Sequence, residues 1–205
     1  MTPMKPTLVF LYLSCMCLAQ DRMPPIPTEK MTDAQKKAAA AMNAGRHNGL
    51  IGPYIPLLRS PKLLQNVYDM GGYLRYEGPL KGRLTELVTL IAARHWTQQF
   101  EWNAHYPLAL AAGLKQEIVT AIAEGRRPAN MAEDEEIAYD FCTELNANHS
   151  VSDATYGRAV KRFGEQGVVD IAAVNGFYGM LAMIMNVART PVLTKQAPPL
   201  VALPH

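Results

Sequence analysis

Apolar residues recur at helical spacing through most of this chain, and no stretch keeps the strict alternation of a half-buried strand. Thr32 followed by Gln35 has the form of a capping box and predicts a helix to about Asn43. Residues 44–60 are rich in Gly and Pro and predict a loop. Ser60-Pro61 supplies an N-cap and a first-turn proline for a helix to about Glu77, which Gly78-Pro79 stops. Residues 80–95 predict a helix with Leu84, Leu87, Val88 and Ile91 turned inward. After a break near Thr97, a second helix covers about 98–112 and ends at Gly113. A short helix over 115–124 is stopped by Gly125 and Pro128. Asn130 is the expected cap of the next helix, whose acidic first turn, Glu133 to Glu136, suits the helix dipole and which runs to about Asn148. Ser152 caps another through Phe163, and 168–188 form the last.

This pattern predicts an all-α fold, a compact single-domain bundle spanning 32–189. Pro24, Pro25 and Pro27 make 20–31 an extended lead-in. Pro191, Pro198, Pro199 and Pro204 make 190–205 an extended tail, free to lie on a neighbouring subunit. The last helix carries no charge from Ile171 to Ala188, so a bilayer span has to be weighed. Asp170, Asn175, Asn186, Gly176 and Gly179 lower its fitness for lipid, and no positive cluster flanks it. The expectation is a buried central helix and no stable membrane span.

The first residues read differently. Met1 to Lys5 is a short basic start, 7–18 an uncharged apolar run, and Ala19 precedes Gln20 at a small-residue cleavage site. Residues 1–19 therefore fit a secretory signal peptide and predict export to the periplasm or medium, with a retained anchor as the rival. Of three cysteines, Cys15 and Cys17 leave with that segment. Cys142 alone remains, which excludes an intramolecular disulfide in the mature chain. The formal net charge is only +2, and Lys and Arg are scattered, so nothing points to nucleic acid.

Candidate chemistry concentrates between Glu86 and His105. Glu86 lies in an apolar helical pattern, either on its solvent face beside Arg83 or Arg94, or held inside as a usable acid or base. Glu101 and His105 are four apart and share a helix face. They form either a surface ion pair or a carboxylate–imidazole proton-transfer site, with Glu101 orienting His105. His95 reads as a helix C-terminal cation; His47 and His149 read as exposed. The five histidines form no tight metal-ligand spacing, so no metal is expected. Cys142 has the setting of a small core residue. Met180, Met183 and Met185, with Phe177 and Tyr178, read as core or pocket lining. Serine-nucleophile, phosphate-loop and dinucleotide motifs are absent.

Three stretches, GPYIPLLRSPKLL (52–64), RLTELVTLIAARHWTQQFEWNAHYPLALAAGL (83–114) and SDATYGRAVKRFGEQGVVDIAAVNGFYGMLAMIMNVA (152–188), resemble the carboxymuconolactone decarboxylase family. Its superfamily includes the alkylhydroperoxidase D group. In the peroxidase branch a glutamate precedes a CxxC pair, and a histidine follows the pair by four residues. Here the glutamate falls on Glu86, the cysteines on Gln98 and Glu101, and the histidine on His105. Neither Gln98 nor Glu101 can form a thiolate, so the resemblance argues against a disulfide-cycling peroxidase.

What the resemblance implies is a helical bundle of the alkylhydroperoxidase D-like type, assembled as a homotrimer or hexamer. It also implies a lyase that needs no cofactor and acts on a small carboxylated or lactone-like substrate. Glu86, Glu101 and His105 would be catalytic. Trp102, Tyr54 and Arg59 would bind the substrate, Arg59 through a carboxylate. A non-catalytic small-molecule binding protein on the same fold is the alternative, and a thiol peroxidase the third reading.

Overall fold

Local signals set most helix starts. In the structure, a computed structural model describing residues 20–45 and 49–203, Thr32 and Gln35 close a reciprocal capping box on α1, Asp33–Asn43. The 1–19 segment with Cys15 and Cys17, and His47, lie outside the described residues. Pro53 opens a short α2, Tyr54–Leu57, inside the stretch expected to be loop throughout. Helix α3, Pro61–Gly72, follows Ser60, whose side chain makes no capping bond. It continues into a π-helical turn, Tyr73–Glu77.

The middle of the chain is a set of short helices. They are α4, Arg83–His95; α5, Gln99–Ala111; α6, Gln116–Ala123; and α7, Glu133–Asn148. Gln98 caps α5, its side-chain oxygen accepting from Phe100 N and Glu101 N at 2.6 and 3.1 Å. Asn130 does not cap α7. It takes a left-handed φ of 56°, and the helix starts three residues later. Glu135 in the first turn accepts from Ala132 N at 2.7 Å and supplies the cap from inside the helix. The last helix, α8, Asp153–Ala188, joins the two helices read separately from the sequence. Gly164, at φ 71° and ψ 172°, breaks it where they meet.

Helix α4 lies at the centre and packs on α8, α5, α7 and α6. Leu87, Val88, Leu90 and Ile91 of α4 are buried, as are Ile171, Val174 and Leu181 of α8. Arg83 ties the start of α4 to α7 through Asp134 at 3.0 Å and through Glu135, and Arg162 of α8 reaches Asp134 at 3.5 Å. Among the described residues only α8 is long and apolar enough to cross a membrane, and 56% of its most apolar window is buried inside the protein. Its outer side leaves Val169, Met183 and Val187 exposed. The lead-in is pinned to the end of α8 by Arg22 N donating to Ala188 O at 2.8 Å. The tail turns back across α5 of its own chain.

This packing separates two neighbouring positions of α8. Ile171→Ala, fully buried, should cost about 2–5 kcal/mol, whereas Val169→Ala, on the exposed side, should stay within about 0.5 kcal/mol. Urea unfolding followed by circular dichroism reads both; equal losses would contradict this orientation of α8.

Candidate functional site

Glu86 stands in the first turn of α4 and is buried at 5% exposure, so the solvent-face reading of this residue does not hold. A buried carboxylate needs partners. Two come from different elements. His105 of α5 places Nδ1 2.6 Å from Glu86 Oε2, and Arg75 donates from Nη2 to Oε1 at 2.9 Å. Arg75 also donates from Nη1 to the Tyr178 hydroxyl at 2.7 Å and lies 3.3 Å from His105 Nδ1. The Tyr178 ring meets the His105 ring edge-on, with centroids 5.0 Å apart. Four side chains from the π turn, α4, α5 and α8 thus form one cluster.

The π turn positions Arg75. Its wider ring, seen in Gly78 N donating to Tyr73 O at 2.8 Å, changes the direction of side chains relative to α3. Gly71, just before it, lets α3 approach α8: a Cβ there would meet Phe177 Cζ at 3.0 Å. Tyr73 reaches α8 as well, its hydroxyl 3.3 Å from Asp170 Oδ1.

Electrostatics fixes the protonation pattern. Burial works to raise the Glu86 pKa, but the hydrogen bond and charge of His105, together with Arg75, outweigh it and hold the carboxyl below its ordinary value. Burial opposes the charge on Arg75, yet Tyr178 and Glu86 keep its pKa above normal. Burial pushes the Tyr178 phenol up, so it stays protonated. An ionised Glu86 only accepts, which places the shared proton on His105 Nδ1 and leaves Nε2 to accept or deliver a proton. The side chains of Glu86, His105 and Arg75 remain 7, 12 and 19% exposed, so the cluster is largely but not fully dry.

The other expected residues lie elsewhere. Glu101 is on α5 one turn before His105, but the two share no hydrogen bond; Glu86 takes the orienting position expected of Glu101. Its carboxyl is buried with neither oxygen partnered, and burial drives its pKa well above the ordinary value. The reason is register: α5 turns Glu101 into the interior, where no donor meets it. Trp102 is buried and donates from Nε1 to Pro198 O at 3.1 Å, so it faces the tail. Tyr54 is buried and packs edge-on against Tyr68, with centroids 6.0 Å apart. Arg59 is exposed and donates to Pro24 O and Ile55 O at 2.8 and 3.3 Å; its guanidinium ties the lead-in to α2. Arg75 escaped sequence reasoning, because a lone arginine after two glycines has no periodicity that marks it as buried. Tyr178 was legible only as core or lining.

Cys142 is fully buried on α7, and burial pushes its thiol far up, which leaves it inert. Among the described residues no group of three or more His, Cys, Asp or Glu side chains is arranged to hold a metal ion. A cavity of about 610 Å³ lies on the other flank of α5, lined by Phe100, Asn103 and Ala104 with parts of the lead-in and tail.

Two expectations follow. A carboxyl whose folded pKa is raised costs stability as pH climbs above its unfolded value near 4.5, because only the unfolded chain then releases the proton. Glu101→Gln should therefore be more stable than the parent at pH 7, with the gap closing toward pH 4.5 at up to about 1.4 kcal/mol per pH unit. Thermal melts of both proteins from pH 4.5 to 8 measure it; a parallel pair of curves would refute it. Arg75→Met leaves Glu86 with one partner fewer and should destabilise by about 3–5 kcal/mol. In the double variant Arg75→Met/Glu86→Gln much of that loss should return, as denaturant titration would show.

No protein-family model matches the chain, and no curated protein matches it. Among solved structures, one of similar fold is the alkylhydroperoxidase AhpD core of an uncharacterized peroxidase-related protein from Ralstonia eutropha JMP134. It superposes with a TM-score of 0.67 at 16% sequence identity, over 83% of this chain and 90% of that one. Helix order and packing are therefore shared where sequence is not, and the fold of this protein is the all-helical one of the AhpD core.

Proposed function

We propose that this protein is an acid–base enzyme without an organic cofactor, acting on a small carboxylated or lactone-like molecule by decarboxylation or a related lyase or isomerase reaction. The observation that carries this reading is the 2.6 Å contact between Glu86 and His105 Nδ1, backed by Arg75. It gives the imidazole one tautomer, with a carboxylate at Nδ1 and Nε2 left for the substrate.

In a decarboxylation, the bond from carbon to the carboxylate breaks and carbon dioxide leaves with its two oxygens. The electron pair enters the conjugated system of the substrate, and protonated His105 delivers a proton from Nε2 to carbon. In an isomerisation, neutral His105 first takes a proton from carbon and then returns it to another. Glu86 balances the imidazolium in both cases. Arg75 and Tyr178 hold that pair in place, and Arg75 is the cation beside the ring on its Nδ1 side. Glu101, kept neutral by burial, sits one turn from His105 and limits negative charge around it. Export, suggested by residues 1–19, and the homotrimeric or hexameric assembly implied by the resemblance belong to the same proposal.

Thiol peroxidase chemistry finds no support in the buried, unreactive setting of Cys142. Turnover of unsaturated carboxylated lactones, followed by carbon dioxide release, is the first test. His105→Ala should lower kcat by about 10²–10⁴, and Glu86→Gln should lower kcat with less change in KM. Cys142→Ser should be indifferent. Full turnover in His105→Ala would remove this mechanism. Ligand binding without turnover in the parent would make the protein a binder.

A further inference from the structure

Six apolar positions run along the outer side of α8. At about 100° per residue, Val169, Ala173, Gly176, Met180, Met183 and Val187 fall within about 40° of one line, and they cover about 27 Å of helix. Val169, Met183 and Val187 are 66, 43 and 57% exposed, Gly176 is exposed, and Ala173 and Met180 are half-buried. A surface helix ordinarily turns charged and polar residues to this side. Single exposed apolar residues are normal, but a continuous line of them marks a contact surface. The alternating spacing of four and three residues is that of the seam between two paired helices.

A glycine inside a helix weakens it unless a close approach requires the missing Cβ. Gly71 and Gly179 have such neighbours within the chain, Phe177 and Trp96, whereas a Cβ on Gly176 would meet nothing within 4 Å among the described residues. The approach that needs Gly176 therefore comes from outside the chain. The stripe is also complementary to itself. Its spacing is symmetric about the level of Tyr178, where Val169 mirrors Val187, Ala173 mirrors Met183 and Gly176 mirrors Met180. Two copies of α8 laid antiparallel about a two-fold axis at that level set each methionine of one against a small residue of the other. A parallel pair in register would instead set glycine against glycine and methionine against methionine. The charges at the two ends agree. Arg22 lies at the Val187 end, its Nη1 3.4 Å from Val187 O, and Glu165 lies one turn before Val169. Both are exposed, and neither forms an ion pair among the described residues.

We propose that the outer face of α8 is a two-fold seam that takes a second copy of this chain, packed antiparallel. The partner's Met180 lies over Gly176, the partner's Met183 over Ala173, and Glu165 faces the partner's Arg22. The valines close the two ends, where rim contacts carry little energy, in keeping with the small loss expected of Val169→Ala. A two-fold contact uses the same patch on both copies, so it closes a dimer or joins two rings. Of the assemblies that the resemblance implies, a hexamer can contain it and a closed trimer cannot. The stripe lies on the side of α8 opposite Tyr178, and the contact does not rest on the proton chemistry of Glu86 and His105.

Analytical ultracentrifugation of the full chain tests this. The parent should sediment as a dimer or a multiple of one. Gly176→Leu adds a side chain where the single chain has room and the seam has none, so it should keep its helical circular dichroism and halve the sedimenting mass. Gly176→Leu/Met180→Ala exchanges large for small across the axis and should restore that mass. The exposed charges give a readout that leaves the packing untouched. Arg22→Glu or Glu165→Arg alone should raise the dimer dissociation constant about three- to thirtyfold, and the double variant Arg22→Glu/Glu165→Arg should return it close to the parent value. A monomeric or trimeric parent overturns the proposal, and flotation of that parent with phosphatidylcholine vesicles would assign the stripe to a lipid surface instead. A folded Gly176→Leu chain of unchanged mass overturns it too, as does a double charge variant that associates no more tightly than either single one.

Discussion

Ten consecutive residues of α4, Thr85 to Arg94, are buried, so this helix has almost no solvent face. Every polar side chain in that run must find its partner inside the protein. Thr85 and Thr89 donate to Leu80 O and Thr85 O. Arg94 spans Ala123 O, Val201 O and Thr97 and so joins α6 and the tail to the core. Glu86 is the demanding case, because a carboxylate needs countercharge as well as hydrogen bonds. The π turn, α5 and α8 converge on it, and the candidate site is the result of that convergence.

Two buried glutamates then behave in opposite ways. Glu86 and Glu101 are similarly inaccessible, yet one is held ionised by an arginine and a histidine and the other, with no donor at either oxygen, is held neutral. Environments that push like groups apart in this manner are how one scaffold keeps an acid and a base side by side. Burial alone would have predicted the same fate for both. The difference lies in what the neighbouring helices bring.

Most helices and their order were legible because caps and breakers are local: Thr32 with Gln35, Gly78-Pro79, Gly113 and Ser152 each act within a turn, whereas the one-turn α2 was hidden in a Gly- and Pro-rich stretch. Asn130 misled because a competing cap came from Glu135, and the importance of that glutamate depends on Arg83, far off in sequence. The site was half legible. Glu86 and His105 stood out by type and by resemblance, but their pairing spans two helices and follows from the packing of α4 on α5. Helical spacing favoured Glu101 with His105, and that was the contact that did not form. Arg75 was invisible for a related reason: its direction is set by a backbone irregularity with no strong sequence signature.

That irregularity has an evolutionary side. A π-helical turn is what an α-helix becomes when it accommodates one additional residue. Each residue advances an α-helix by about 100°. Loss of Tyr73 or Leu74, ahead of Arg75, would let the turn relax to α geometry and rotate Arg75 about the axis of α3, away from Glu86. The cluster would thus be gained or lost by a one-codon insertion or deletion, a far smaller step than building a charged triad by successive substitutions in a packed core.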